Sequence, residues 1–184
     1  YFEIGDISAM AKWMKSFLKS FLFLSVLTVG VGLFYAWRDQ TRIKEGKKGH
    51  YHLHLSDDWE YINGLNADAV IQSGNKDHDA YIVAIPYEKR NYENAETFYR
   101  YLLDYMHKLY EDYQLISSEK LLIDHHDAYE LTGVLQFEDV QYRNFVYGIS
   151  YEDCYLLVMA WAPESSDEKL FAEMKLIVST LHQE

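Results

Sequence analysis

The longest unbroken apolar stretch runs from Ser20 to Trp37 and carries no charge over its 18 residues. As a helix it would reach about 27 Å, close to the roughly 30 Å hydrocarbon thickness of a bilayer. Lys19 can snorkel, which lets Phe17 and Leu18 lengthen the span. The pattern predicts a basic amino-terminal segment over 1–16, a transmembrane helix over 17–37, a charged linker over 38–49 and one folded domain over 50–184.

After the linker the period changes to two. His50, His52 and His54 alternate with Tyr51, Leu53 and Leu55, which reads as a strand. Ser56-Asp57-Asp58 breaks it, and Trp59 follows. Further strands are expected over 69–73 and 80–86, around a turn at 74–77. From Asn94 the spacing becomes three and four: Phe98, Leu102, Tyr105, Met106 and Leu109 share a face. That predicts a helix capped by Asn94 and running to about Tyr113.

Four strands are expected next, over 115–123, 128–137, 142–150 and 155–162. The polar breaks between them, such as 124–127 and Glu152-Asp153, are short enough for hairpins and so for antiparallel pairing. Pro163 ends the last strand. Ser165 or Ser166 is expected to cap a final helix whose stripe is Leu170, Phe171, Met174, Ile177, Val178 and Leu181. Three strands, helix, four strands, helix predicts an α+β domain: a mainly antiparallel sheet flanked by helices.

Charge sharpens the division. Residues 1–48 carry eight Lys or Arg and four Asp or Glu, a net of +4; residues 49–184 carry nine and 25, a net of −16. A domain this acidic repels phosphate backbones, so no nucleic-acid partner is expected. Cys154 is the only cysteine, which excludes an intramolecular disulfide and a thiolate metal site. It lies in an apolar run, where a thiol is expected to be a small core residue.

The stretch from Met10, with Lys12, Lys15 and Lys19 before the apolar run, has the basic opening of an export signal. The run is longer than a usual signal core. Phe34 is too large for the minus-three position of a cut after Ala36. The aromatics Phe34, Tyr35 and Trp37 suit a membrane edge. An uncleaved single-pass anchor in the bacterial inner membrane, in lipid contact through residues 17–37, is the expectation. A cleaved signal and a buried core helix are the alternatives. Arg38, Arg42, Lys44, Lys47 and Lys48 favour a cytoplasmic carboxy-terminal side, whereas the export-like opening favours an extracytoplasmic domain, which is the reading adopted.

Three segments resemble the Mog1/PsbP-like fold, in its DcrB-like branch of bacterial membrane-associated proteins. His54–Glu60 is similar to the family's strand and following turn, without the usual proline and glycine. Asp127–Gly133 is similar to the strand after the first helix, and Tyr155–Pro163, running on through Leu181, to the closing strand–helix unit. The resemblance implies a non-enzymatic binding, assembly or accessory protein of the cell envelope.

No glycine-rich phosphate loop, nucleophile elbow or HExxH motif is present, and no cofactor is expected. The sharpest alternative is His50-x-His52-x-His54. Alternate residues on a strand share a face about 6.6–7 Å apart, a spacing at which two imidazoles can meet on one metal ion. A metal-binding protein or metal-dependent enzyme is therefore the second reading, with Asp124, His125, His126 and Asp127 as further donors if the fold brings them near. Asp57, Asp58 and the 124–127 carboxylates otherwise read as solvated turn residues.

Tyrosine is abundant, 17 in all. Tyr99, Leu103 and Tyr110 fall on a helix flank away from the core stripe, a composition suited to an interface with a protein partner. Trp59 and Trp161 are expected to anchor the core.

Overall fold

The computed structural model describes residues 51–183. The expected membrane span, the segments on either side of it and His50 lie outside the described residues. Among the described residues no helix is long and apolar enough to cross a membrane.

The elements run β1 (Tyr51–His52), β2 (Trp59–Tyr61), β3 (Ile71–Asn75), β4 (Tyr81–Glu88), a short 3-10 turn (Lys89–Asn91), α1 (Ala95–Leu109), β5 (Gln114–Ile123), β6 (His126–Phe137), β7 (Val140–Ser150), β8 (Cys154–Pro163), α2 (Glu168–Ser179) and β9 (His182–Gln183). Seven strands form one sheet in the order β2-β3-β4-β8-β7-β6-β5, with every neighbouring pair antiparallel. β1 and β9 pair separately, joining the start of the described chain to its end.

The sheet has a hydrophobic core on each face, and this follows from the period of two. In β4, Ile82 and Ala84 face one side while Val83, Ile85 and Tyr87 face the other. In β8, Leu156, Val158, Ala160 and Ala162 point to the first side, and Tyr155, Leu157, Met159 and Trp161 to the second. Strands covered on both faces need apolar residues at every position, which explains the unbroken run in β8. α2 packs on the first face through Leu170, Phe171, Met174, Ile177 and Val178, with Leu181 just beyond it. α1 packs on the second through Phe98, Leu102 and Met106. Gly148 in β7 makes room for this, because a methyl there would meet the Leu102 side chain.

Local signals set the helix ends. Asn94 caps α1, its side chain accepting from the Thr97 N–H at 2.9 Å. α1 stops at Leu109, earlier than expected, and Leu109 is 41% exposed. The cap of α2 is Asp167, not Ser165 or Ser166; its carboxylate accepts from the Lys169 N–H. A carboxylate also complements the positive end of the helix dipole.

β5 is an edge strand, exposed over most of its length, with a register shift between Leu115 and Ser117. Such a bulge, together with the edge charges Glu119 and Lys120, discourages further strand pairing. The hairpin from β5 to β6 turns on Asp124 and His125, both at positive φ (53° and 62°), as a two-residue primed turn requires.

Candidate functional site

The α1 side of the sheet carries two aromatic regions. At the amino-terminal end of α1 the rings are packed away. Phe98 stacks on Tyr155 at 4.7 Å and meets Tyr92 edge-on at 4.9 Å. Tyr87, Tyr92 and Tyr101 surround it. Burial is the main cause that raises the phenol pKa of Tyr87, Tyr92, Tyr101, Tyr105 and Tyr113. Tyr101 and Tyr113 are pushed up to about 12. The abundance of tyrosine is thus largely a core property.

A phenol ionising near 10 when unfolded and near 12 when folded contributes stability that is intact below pH 10. That stability disappears as the pH climbs through the folded value. Cooperative alkaline unfolding is expected in this window, with phenolate absorbance rising as near-ultraviolet circular dichroism is lost. Ionisation of the buried tyrosines with the dichroism preserved would contradict it.

The second aromatic region lies on the same face of the sheet. The register places Tyr81 (β4), Trp161 (β8), Asn144 (β7) and Gly133 (β6) side by side across four strands. Tyr142, two residues before Asn144, is on the same face. Tyr81, Trp161 and Tyr142 are half-buried. The Tyr81 and Trp161 rings lie 5.6 Å apart. Tyr142 donates its hydroxyl to Asp79 at 3.1 Å. Burial first, then the Asp79 charge, pushes the Tyr142 phenol up to about 12, so it stays a donor at neutral pH. Trp161 is half-buried and packs against the α1-side core, whereas Trp59 is fully buried.

The floor of this region is polar. Asn144 is 4% exposed, and neither its Oδ1 nor its Nδ2 has a hydrogen-bond partner among the described residues. The buried Tyr113 hydroxyl is likewise unpartnered. Tyr113 lies against the bare Gly133 backbone, where any side chain would overlap its ring. Each buried polar group left unpaired costs about 1–3 kcal/mol, so the Asn144 amide and the Tyr113 hydroxyl are costly where they stand.

The residues singled out from sequence fall as follows. Tyr99, Leu103 and Tyr110 are half-buried against the α1-side core. Tyr99 stacks on Tyr129 at 4.6 Å, and Lys120 lies over Tyr129 at 4.9 Å. His52 and His54 do come together, and His182 joins them from β9. Its ring lies 5.6 Å from that of His52 and 5.5 Å from that of His54. His182 Nδ1 is 3.1 Å from the Thr180 carbonyl, an acceptor to which it donates. The 124–127 turn is close as well, since Asp124 accepts from the Gln183 N–H at 3.1 Å. Among the described residues no three His, Cys, Asp or Glu side chains are arranged to hold a metal ion.

Cys154 is buried, its Sγ 2.9 Å from the Tyr51 hydroxyl, and burial pushes the thiol up to about 11. That suits a core residue, not a nucleophile.

Asn144 and His182 were missed from sequence. An asparagine inside an apolar strand, two residues after Tyr142 and opposite a glycine, is the signal that could have pointed to the first. Nothing local points to the second.

No protein-family model matches the chain, and the search of curated proteins gives no match. Solved structures do match. LpqN of Mycobacterium tuberculosis, whose structure is described as that of a protein involved in cell envelope biogenesis, superposes with a TM-score of 0.56 at 13% identity, over 76% of this chain and 87% of LpqN. The cyanobacterial PsbP protein (CyanoP) of Synechocystis sp. PCC 6803 gives 0.56 at 14% identity, over 73% and 87%. A protein of Bacteroides thetaiotaomicron gives 0.51 at 12% identity, over 73% and 45%. The domain has a PsbP/Mog1-like α+β fold.

Proposed function

We propose that the chain is a non-enzymatic binding or accessory domain of the bacterial cell envelope, of the DcrB-like kind. It is tethered to the inner membrane through residues 17–37, with the domain on the extracytoplasmic side. The observation that carries the binding role is the half-exposed Tyr81–Trp161–Tyr142 face over unpartnered Asn144 and Tyr113. The likeness in fold to LpqN supports the envelope setting. The binding face is placed here in preference to the Tyr99 flank because the Tyr99 ring is already stacked on Tyr129.

The test is cross-linking and co-purification of the full chain from detergent extract. A specific protein partner is expected with the native chain, and its loss in Trp161→Ala and Tyr81→Ser variants that melt like the parent. Retention of the partner by both variants would remove this face from consideration.

A second reading is favoured by His182. A ring whose Nδ1–H is fixed on a carbonyl is oriented as a metal-ligating imidazole usually is. In that reading, His54 and His182 hold a divalent transition ion, with His52 adjacent. Elemental analysis of untagged protein and thermal shift with zinc, copper and nickel decide it. A shift abolished by His182→Ala supports the reading, and no bound metal with no shift ends it.

A further inference from the structure

Resting on the reading of the Tyr81–Trp161–Tyr142 face as the site of a protein partner, we propose that the group this face takes is a guanidinium, the side chain of an arginine on that partner. The rings come with negative charge. Tyr142 donates its hydroxyl to the Asp79 carboxylate at 3.1 Å, and the Tyr81 hydroxyl faces the same carboxylate. Tyr81 links charge to indole, since its ring lies 5.6 Å from that of Trp161. Glu138, in the turn between β6 and β7, is close enough for its charge to act on the Tyr142 hydroxyl too, after burial and Asp79. Asp79 and Glu138 are both exposed, and among the described residues neither is ion-paired with a lysine, arginine or histidine. Lys76, the lysine of the turn that carries Asp79, points elsewhere: its Nζ donates to the Asp57 carbonyl at 2.9 Å.

Elsewhere the chain covers such rings with cations of its own. Lys89 lies over Tyr155 at 5.4 Å, Lys120 over Tyr129 at 4.9 Å, Lys175 over Phe145 at 4.8 Å and Arg143 over Phe171 at 4.1 Å. Among the described residues no cation covers Trp161, Tyr81 or Tyr142, although indole attracts a cation more strongly than any other aromatic side chain. Arg143 shows the arrangement complete. It follows Tyr142 in β7 and turns to the other face, where it lies on a ring and pairs with two carboxylates, Glu164 and Glu168. The Tyr142 face has the rings and two carboxylates without the guanidinium. A planar guanidinium can lie on a ring and still donate in its own plane to a carboxylate, whereas a lysine ammonium is a more strongly hydrated point charge. The net charge of −16 over residues 49–184 draws a basic partner to this domain and repels an acidic one.

The test uses the full chain in detergent micelles, isotope-labelled, with N-acetyl-arginine N-methylamide as probe and the matching citrulline compound, its neutral isostere, as control. A saturable shift of the Trp161 indole resonance is expected with the arginine probe and not with the citrulline one, and weaker binding with the lysine analogue. Asp79→Asn keeps an acceptor for the Tyr142 hydroxyl, and Glu138→Gln keeps the side-chain shape, so both variants are expected to melt like the parent. Each is expected to weaken probe binding about threefold, and the two together about tenfold. Added salt is expected to weaken it as well. Capture of the protein partner is expected to fall in the double variant.

Equal shifts with the citrulline probe, or no shift at Trp161 with the arginine probe, overturns the guanidinium. Partner capture undiminished in the double variant overturns it too, while capture that still depends on Trp161 and Tyr81 leaves the binding face standing. Partner capture indifferent to Trp161 and Tyr81 overturns that broader reading itself.

Discussion

Replacing Phe98 with alanine is expected to lower the stability of the domain by about 3–5 kcal/mol, the largest loss from any single substitution considered for this chain. Phe98 is 1% exposed and is the ring on which the α1-side core is assembled. It lies parallel to Tyr155 (interplanar angle 13°), edge-on to Tyr92 (73°), and against Tyr87 and Tyr101. Truncation removes the transfer free energy of the ring and leaves a cavity walled by rigid aromatics, which collapse poorly. It also removes the first-turn anchor of α1, whose other buried residues are Leu102 and Met106. Urea unfolding followed by circular dichroism measures the loss. A cost below about 1 kcal/mol would mean that α1 is not docked as described. Phe98→Leu keeps part of the apolar volume and is expected to fall between the variant and the parent.

Lys175→Met is expected to cost about 2–3 kcal/mol, while adding Glu130→Met to it restores most of that loss. Glu130 lies on β6 facing α2 and is 4% exposed. Its Oε1 accepts from Lys175 Nζ and from the Thr132 hydroxyl at 2.9 Å. The Lys175 ammonium also sits over the Phe145 ring at 4.8 Å. Removing the lysine leaves a desolvated carboxylate with neutral hydroxyls alone beside it, those of Thr132 and Tyr147, and that stranded charge is the main cost. The cost is below the usual range for a buried pair because the Lys175 side chain is 41% exposed, so water partly screens it. Removing both charges leaves an apolar patch between β6 and α2. A double-mutant cycle in which the two losses simply add would refute the coupling. By contrast, Arg143 is shared between Glu164 and Glu168 and lies over Phe171 at 4.1 Å, so no single carboxylate substitution there isolates a buried charge.

The legible parts of the fold were those decided within a few residues. Asn94 followed by Phe98, Leu102 and Met106 specifies a capped amphipathic helix whatever it packs on, and the α2 stripe is buried as a whole. The run from Cys154 to Pro163 read as a strand because of its length and its closing proline. The short polar breaks at 124–127 and 152–153 read as hairpins, and the sheet is antiparallel throughout. Less legible were features that depend on neighbours distant in the chain. β2 and β9 have three and two residues, too few to show a period. Trp161 reads as a core residue because its strand is apolar throughout, and in the fold it is half-buried at the edge of the α1-side core.

The candidate site was less legible still. His50-x-His52-x-His54 drew attention by spacing, yet the ring that touches His52 and His54 is His182, brought there by the pairing of β1 with β9. The tyrosine-rich helix was identified as unusual, but local sequence cannot separate a ring that fills a core from one that waits for a partner.

From the sequence alone came the acidic body, the apolar run before Arg38, the order of the longer strands and the two helices, and the face of each helix that is buried. These rest on charge and on periods of two and of three to four, which are properties of neighbouring residues. Only the tertiary structure placed α1 and α2 on opposite faces of the sheet and set Asn144 between Gly133 and Trp161. It also left the amide of Asn144 without a partner among the described residues. Strand order and register join residues far apart along the chain, and whether a buried polar atom is paired depends on all of those contacts together.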